Sequence, residues 1–311
     1  MKHWALILAL VVVAGCSSLP EDAPRVSGIS LLPGSAALEV DGRQRLLVSG
    51  SLEGREVDVT HYVKFKSDKP EVAAVDDGGQ VTALAPGEAM VTARYGSHSR
   101  EFKVTVTSRP TNRPLSFVND VLPVLSKAGC NAGSCHAKPD GQNGFKLSVF
   151  TYDPKSDWRE IVEDARGRRV FPAFPSESLI VKKATLAIPH EGGQRIRPGS
   201  ESERVLLQWI REGMIYQRED EPVLESVAVT PAVREYRRDQ SQRLIVQARY
   251  SDGSLRDVTD LADFVSNDGE IAAVDKAGRV TVGRVNGEGT VMARYMGQVA
   301  IARITVPAEK K

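Results

Sequence analysis

The sequence predicts a multidomain chain in which two all-β sandwiches flank a mainly α domain. Three observations lead to this fold class. The two ends of the chain are duplicated, each copy alternates apolar and polar residues as β-strands do, and the segment between the copies has apolar residues at helical spacing. A chain of 311 residues is long enough for several domains that each bury a core.

The first residues, MKHWALILALVVVAGCSS, predict an export signal, with a basic residue at Lys2, an apolar run and then small residues before Cys16. The run of about ten apolar residues is too short for a permanent membrane span. Its ending, VAGC, resembles the lipobox of bacterial lipoproteins. The resemblance implies a lipoprotein signal peptide at residues 1–15, a lipid on Cys16 and a place in the cell envelope, at the outer membrane or on the periplasmic face. An ordinary signal peptide with a chance cysteine is the alternative.

The charge balance argues against a nucleic-acid partner. The chain has 41 basic and 40 acidic residues, so no large positive field is expected. Contact with a membrane is therefore expected through the lipid anchor, followed by a short linker at residues 16–25.

The duplication defines the two sandwiches. The motif DVT occurs at residues 58–60 and 257–259, EVAAVD at 71–76 matches EIAAVD at 270–275, and VTARY at 91–95 matches VMARY at 291–295. Short β-branched runs separated by Gly, Asp and Pro turns predict antiparallel sheets over residues 26–107 and 223–307. The shared motifs resemble bacterial group 2 immunoglobulin-like domains, known from invasin and intimin-type surface proteins. The resemblance implies a spacer or adhesive role, and we expect His61 and His98 in the first copy to be ordinary surface residues.

Two polar linkers, SRPTNRP at 108–114 and YQREDEP at 216–222, bracket a different segment, which we assign to a domain at residues 115–216. It opens with a helix that Ser116 can cap, in which Pro123 is tolerable only near the helix start or at a kink, so a start as late as Asp120 is the alternative. It closes with a helix capped by Ser200 or Ser202 and ended by Gly213. Two such helices are the frame expected of a small cytochrome c-like domain.

The segment contains the stretch Cys130-Asn-Ala-Gly-Ser-Cys135-His136. A c-type haem is attached through two cysteines followed by a histidine, usually as CxxCH, so the two additional residues here must bulge outward. A structural disulfide between the two cysteines and a metal site formed by the cysteines and histidines are the alternatives.

A covalently bound haem iron needs a second axial ligand unless it binds small molecules. His190 is the expected ligand, because the segment offers no methionine before Met214, which follows the closing helix. Five arginines are candidate partners of the haem propionates, with a solvated face as the alternative: Arg166, Arg168, Arg169, Arg195 and Arg197. Six aromatic residues are expected to pack the core or line the macrocycle: Phe145, Phe150, Tyr152, Phe171, Phe174 and Trp209.

Four stretches of the segment, LPVLSKAGCNAGSCHAKPDGQNGFKLSVFTYDP, RRVFPAFPSESLIVKKAT, IPHEGGQR and WIREGM, resemble the planctomycete-type cytochrome c domain of large exported proteins. The resemblance implies haem c on Cys130 and Cys135 with His136 as the proximal ligand. The resulting prediction is an envelope-anchored, non-enzymatic electron-transfer protein with a bis-histidine haem, no catalytic residues and an unidentified redox partner. The alternatives are a structural or adhesive surface lipoprotein with a Cys130–Cys135 disulfide, and a haem peroxidase or ligand sensor.

Overall fold

Both ends of the chain are built from strands in the computed structural model, which describes residues 19–110 and 113–308. The first copy contains β1 (Ile29–Leu32), β2 (Ser35–Glu39), β3 (Arg43–Arg45), β4 (Leu47–Leu52), β5 (Arg55–Asp58), β6 (Lys64–Ser67), β7 (Ala73–Val75), β8 (Gln80–Ala83), β9 (Gly87–Tyr95) and β10 (His98–Thr107). The second copy contains β11 (Leu224–Thr230), β12 (Val233–Glu235), β13 (Ser241–Arg243), β14 (Ile245–Tyr250), β15 (Leu255–Asp257), β16 (Asp263–Ser266), β17 (Ala272–Val274), β18 (Arg279–Val282), β19 (Gly287–Tyr295) and β20 (Gln298–Val306). The predicted signal peptide and Cys16 lie outside the described residues.

The two copies have the same sheet topology. The first forms sheets of order β1-β4-β5, β2-β10-β9-β6 and β3-β8-β7, and the second repeats them as β11-β14-β15, β12-β20-β19-β16 and β13-β18-β17. β2 runs parallel to β10, and β12 runs parallel to β20. The long hairpins β9–β10 and β19–β20 keep their register from end to end. The duplicated sequence therefore encodes one β-sandwich twice.

Each sandwich has a core of its own. In β9 and β19 every second side chain is buried, as the alternating sequence predicts. The buried cluster of the first copy contains only residues from 19 to 106, and that of the second contains only residues from 224 to 306. Because neither core borrows side chains from elsewhere, each sandwich has what it needs to fold independently.

The segment between the copies contains four short helices: α1 (Leu122–Lys127), α2 (Pro154–Val162), α3 (Leu179–Ala184) and α4 (Glu201–Arg211). The hydroxyl of Ser116 accepts a hydrogen bond from the backbone of Asn119 and caps a π-helical turn (Phe117–Val121) that leads into α1. Ser200 caps α4 in the same way. The predicted opening and closing helices are confirmed. In the described part of the chain no helix is long and apolar enough to cross a membrane.

The prediction of a mainly α middle domain is wrong. The described chain is nearly all β, with six sheets, and the four helices leave most of residues 115–216 in turns and loops. Between α1 and α2 the backbone takes positive φ at Gly129, Gly141, Asn143 and Gly144, which a continuous helix cannot accommodate. Two well-capped helices at the ends of the segment were mistaken for the frame of a helical domain.

The middle segment contacts both sandwiches. The ammonium group of Lys127 donates to the carbonyl oxygens of Ala262 (2.6 Å) and Lys276 (2.7 Å) in the second copy, and burial lowers its pKa. On the other side, Arg43 of β3 forms an ion pair with Glu201 at the start of α4 (2.7 Å). The three parts therefore contact one another directly.

Candidate functional site

The cysteine motif forms a tight loop directly after α1. The backbone N–H of Cys130 donates to Leu125 (3.0 Å), and that of His136 donates to the carbonyl of Cys130 (3.1 Å). Gly133 and Ser134 are exposed, whereas Asn131 is only 3% exposed. The residues between the two cysteines therefore bulge outward only in part.

All four residues predicted to bind a cofactor line one cavity of about 1140 Å³: Cys130, Cys135, His136 and His190. Its walls come from the loop after α1, the turn closed by the Gln142–Phe145 bridge, α3 and the loop that ends at Arg195. Leu125, Leu147 and Ile180 supply apolar lining. A concave, largely apolar space with a few polar groups is the usual form of a ligand site.

The two histidines form an ordered pair in this cavity. Their rings are nearly parallel, at an interplanar angle of 9°, with centroids 6.3 Å apart. The Nδ1 atom of His136 lies 3.2 Å from the carbonyl oxygen of Phe145, and Nδ1 of His190 lies 2.9 Å from that of Gly193. Bonds to carbonyl oxygens require a proton on Nδ1, so the Nε2 atom of each ring carries the free lone pair.

The electrostatic surroundings of the site favour the neutral form of His136. Burial lowers its pKa, and the nearby His190 lowers it further, although the bond to Phe145 opposes this. Burial also raises the pKa of the Cys130 thiol to about 12, so that thiol is protonated at neutral pH. Both cysteines are free thiols, and the guanidinium of Arg195 lies 3.6 Å from the sulfur of Cys135.

The predicted arginines have different positions. Arg168 and Arg195 line the cavity, whereas Arg166 and Arg197 are exposed and are not among its lining residues. Arg169 also reaches the cavity, but it is 6% exposed and donates to the carbonyl oxygens of Glu160 and Gly144. Arg169 therefore holds the surrounding loops together instead of offering a free charge.

The aromatic residues divide similarly. Phe145 lines the cavity with its ring 4.4 Å from that of His136, and Trp209 is buried in the core of the segment. Four others, expected in the core or around the cofactor, lie at the surface instead: Phe150, Tyr152, Phe171 and Phe174. Tyr152 is 91% exposed. These four residues lie outside the four α-helices of the segment.

Several residues of the site were not predicted from the sequence. Lys138 and Lys183 line the cavity, and Gln142 joins its two sides by donating to Glu191 (3.0 Å). These residues lie inside the stretches quoted for the family resemblance, but their residue types alone did not mark them as site residues, and only the folded loops bring them together. The alternative of a metal site using the cysteines is not supported, because no group of three or more metal-binding side chains occurs within residues 19–110 and 113–308.

Comparison with protein families identifies both ends of the chain. Residues 61–108 match a bacterial Ig-like domain family, and residues 223–304 match the bacterial Ig-like domain (group 2) family. Two bacterial Ig-like domains are present. The resemblance stated for the duplicated motifs is confirmed to this extent, and the comparisons show no cytochrome c domain.

Two curated relatives share sequence with the chain. An S-layer-related protein of Niallia circulans is 32% identical over 90 residues, which is 29% of this chain and 6% of the relative. Ice-binding protein 1 of Shewanella frigidimarina (strain NCIMB 400) is 21% identical over 97% of this chain and 32% of its own length. The chain thus spans about a third or less of each relative.

Among solved structures, the S-layer protein rSbsC(31-844) is 15% identical, with 93% of this chain and 29% of that chain covered and a TM-score of 0.24. A C-terminal 282-residue fragment of intimin, in complex with the intimin-binding domain of its translocated receptor, is 11% identical. That match covers 91% of this chain and 64% of the fragment, with a TM-score of 0.20.

The prediction of an electron-transfer cytochrome is wrong. The matches are to Ig-like domains on both sides of the cavity segment and to an S-layer-related relative. They favour the alternative, a structural or surface protein, and they indicate an exported or cell-surface location.

Proposed function

We propose that this chain is a structural or adhesive protein of the bacterial cell surface, held in the envelope by a lipid on Cys16. The observation that carries the proposal is the pair of Ig-like domains, together with the S-layer-related relative. The lipobox-like VAGC stretch supports the anchor. One acyl chain gives only reversible membrane binding, so stable anchoring requires the several chains that a lipoprotein cysteine carries.

The architecture suits a structural role. Two sandwiches with closed cores and continuous hairpins are stiff units, and the middle segment contacts the second through Lys127 and the first through Arg43. An arrangement of this kind presents the cavity segment at a set distance from the anchor. The domain boundaries at 26–107, 115–216 and 223–307 are part of this proposal.

Replacement of Cys16→Ser tests the anchor. The variant should move from the envelope fraction to the soluble exported fraction, because the acylated sulfur is lost. Cys130→Ser is the matched control, since it removes a thiol without touching the anchor, and it should stay in the envelope. Equal envelope recovery of wild type and Cys16→Ser would overturn the lipid anchor, and recovery in the cytoplasm would overturn the surface role.

We also propose that the cavity holds haem c as a structural group, attached to Cys130 and Cys135 with His136 and His190 as axial ligands. The nearly parallel imidazoles of His136 and His190 line the same cavity with centroids 6.3 Å apart, so the two side chains would hold such a group together. Their Nε2 atoms are the nitrogens left free for it. When bound, the group supplies an iron atom coordinated by two histidines and a large apolar surface that fills the cavity.

The role of the chain's own residues is to hold that group. The thiols of Cys130 and Cys135 would tie it to the loop after α1, and His190 would tie it to the loop before α4. Arg168, Lys183 and Arg195 line the cavity with positive charge, which suits carboxylates at the edge of the group. A ligand that joins both loops stabilises the folded state over the unfolded one.

The haem proposal is tested by expression with and without cytochrome c maturation. With maturation, we expect a coloured protein whose absorbance survives acid-acetone extraction and whose spectrum is low-spin. His190→Ala should convert that spectrum to high-spin, and His98→Ala, in the first sandwich, should leave it unchanged. A colourless protein with Cys130 joined to Cys135 would overturn haem binding and leave the surface proposal standing.

A further inference from the structure

The two Ig-like copies contact each other in a reciprocal way. A carboxylate oxygen of Asp257 accepts the backbone N–H of Arg45 at 2.5 Å, and a carboxylate oxygen of Asp58 accepts the backbone N–H of Arg243 at 2.7 Å. Asp58 and Asp257 are the same residue of the duplicated DVT motif. Arg45 and Arg243 both end the third strand of their copy, opposite equivalent residues of β8 and β18.

Further contacts repeat the symmetry. The side-chain amide of Gln44 lies 3.5 Å from Asp257, and that of Gln242 lies 3.5 Å from Asp58. The guanidinium of Arg45 donates to the carbonyl of Ala277 (3.1 Å), and that of Arg243 donates to the carbonyl of Gly78 (2.6 Å). Gly78 and Ala277 occupy equivalent positions, two residues after the EVAAVD and EIAAVD motifs. Each contact therefore has a counterpart with the roles of the copies exchanged.

The DVT aspartate performs two tasks at once. Its Oδ1 atom accepts hydrogen bonds from the backbone and hydroxyl of the motif's threonine, at 2.9 and 2.6 Å for Thr60 and at 3.0 and 2.6 Å for Thr259. Its Oδ2 atom is left to face the other copy. The first oxygen shapes the turn and so aims the second at a neighbouring sandwich. The motif therefore serves both the turn of its own copy and the contact with the other copy.

The participating polar groups are buried. Gln44 is 2% exposed and Gln242 is fully buried. Buried polar groups are costly unless they find partners, so this surface is built to be covered by another sandwich. Arg45 of the first copy contacts Asp257 of the second, and Asp58 of the first contacts Arg243 of the second. This exchange of equivalent residues is the property of a self-complementary, isologous interface.

Three ion pairs between the copies are one-sided and add preference for unlike copies. The first joins the guanidinium of Arg45 to Asp260, whose counterpart after the DVT motif of the first copy is His61. Arg234 and Arg237 of the second copy form ion pairs with Glu56 and Glu53 of the first. The positions equivalent to Arg234 and Arg237 in the first copy are Ala36 and Glu39, as the parallel pairing of β2 and β12 shows. The surface therefore favours a first copy against a second copy over two first copies.

We propose that this reciprocal surface is a recognition site for a second copy of this chain. In the proposed assembly, the two Ig-like domains of each chain would separate. The contacts that join them within one chain would then join the first domain of one chain to the second domain of another. Exchange of identical elements between chains is a low-cost route to assemblies, and repeated head-to-tail pairing need not close. The inference rests on the contacts between the sandwiches and is independent of the surface location and of the haem.

Separately produced Ig-like domains, residues 20–108 and 220–308, provide the test, because each has its own core. Sedimentation and calorimetry of the mixture should show a one-to-one complex, tighter than self-association of either domain. Arg45→Glu places a negative charge against Asp257 and Asp260 and should weaken the complex at least about tenfold. Arg43→Glu, on the same strand but directed to the middle segment, is the matched control and should bind as wild type.

The outcomes decide the inference. Circular dichroism of each variant domain shows whether it is folded, so loss of binding by a folded Arg45→Glu domain supports the site. The full chain, refolded at rising concentration, should form dimers whose fraction falls with the same substitution. The absence of a complex between folded wild-type domains up to about 1 mM, the Kd range of a weak interface, would overturn the inference. Equal binding by Arg45→Glu and Arg43→Glu would also overturn it.

Discussion

The sandwiches and the segment between them bury their apolar residues differently. In each sandwich, paired strands close around Val, Ala and Tyr side chains that belong to that copy alone. In the middle segment, Trp209 of α4 packs against Phe117 in the turn before α1. Other residues of the same segment line a cavity of about 1140 Å³. Side chains that line a cavity lack packing partners on one side. The sandwiches are therefore complete by themselves, and the middle segment has room for a bound group.

The largest expected effect comes from truncating either core. Phe102 in the first sandwich and Trp209 in the middle segment are both fully buried. Phe102→Ala and Trp209→Ala should each cost about 3–5 kcal/mol, because both leave large cavities. Hydrogen exchange read by mass spectrometry should show Phe102→Ala loosening β9 and β10, and Trp209→Ala loosening α1 and α4. Loss of protection throughout the chain from either variant would show that the parts are not separate units.

A pH effect should be confined to the middle segment. Asp157 of α2 is 1% exposed, and burial raises its pKa to about 6, although it accepts hydrogen bonds from Ser148. In the unfolded chain this carboxyl has a pKa of about 3.9, so the folded state holds the proton more tightly. The stability that it contributes is complete below about pH 4 and is lost as the pH rises through about 6.

Asp157→Asn should remove this dependence, which amounts to at most about 3 kcal/mol. The measurement is the free energy of unfolding of the region around α2, compared at pH 4 and pH 7 in wild type and Asp157→Asn. Asp140→Asn, at an exposed position, is the control. An unchanged pH profile in Asp157→Asn would mean that another group is responsible.

The buried threonines of the DVT motifs test whether the copies are equivalent. Thr60 accepts the backbone N–H of Val48, and Thr259 accepts that of Val246, both at 2.9 Å. Thr60→Val and Thr259→Val leave these donors unsatisfied, so each should cost about 1–3 kcal/mol in its own sandwich. Thermal unfolding of the separate domains measures both. A cost in one copy alone would break the equivalence.

The sequence predicted the two sandwiches better than the middle segment. The duplicated motifs predicted both sandwiches, because alternating residues and repeated landmarks are local signals that strand pairing preserves. In the middle segment, the caps Ser116 and Ser200 were also local and were found. The loops between them were not, since positive-φ turns and the bonds of Arg169 to Glu160 and Gly144 depend on the folded chain. The resemblance to a cytochrome c domain then led to a function that the comparisons contradict.

The grouping of Cys130, Cys135, His136 and His190 around one cavity shows what a motif can and cannot convey. Cys130, Cys135 and His136 are close in the sequence, so their proximity in the fold was predictable. His190 was predicted because the segment has no methionine before Met214. The contacts of Asp58 with Arg243 and of Asp257 with Arg45 could not be predicted. Each joins residues of two separate sandwiches that are far apart in the sequence.

The smallest expected effect is at the surface of the second sandwich. Arg284 and Asp239 form an ion pair of 3.2 Å, but both side chains are largely exposed. Arg284→Ala should change the free energy of unfolding by less than about 0.5 kcal/mol. A larger loss in urea unfolding of that domain would show that this loop contributes to its stability.

The central claim, that the chain is an exported surface protein, is tested most directly by mass spectrometry of its N-terminal peptide from fractionated cells. The account predicts that the mature chain begins at Cys16, that this residue is acylated, and that the protein is in the envelope fraction. A cytoplasmic protein that still begins at Met1 would contradict the account.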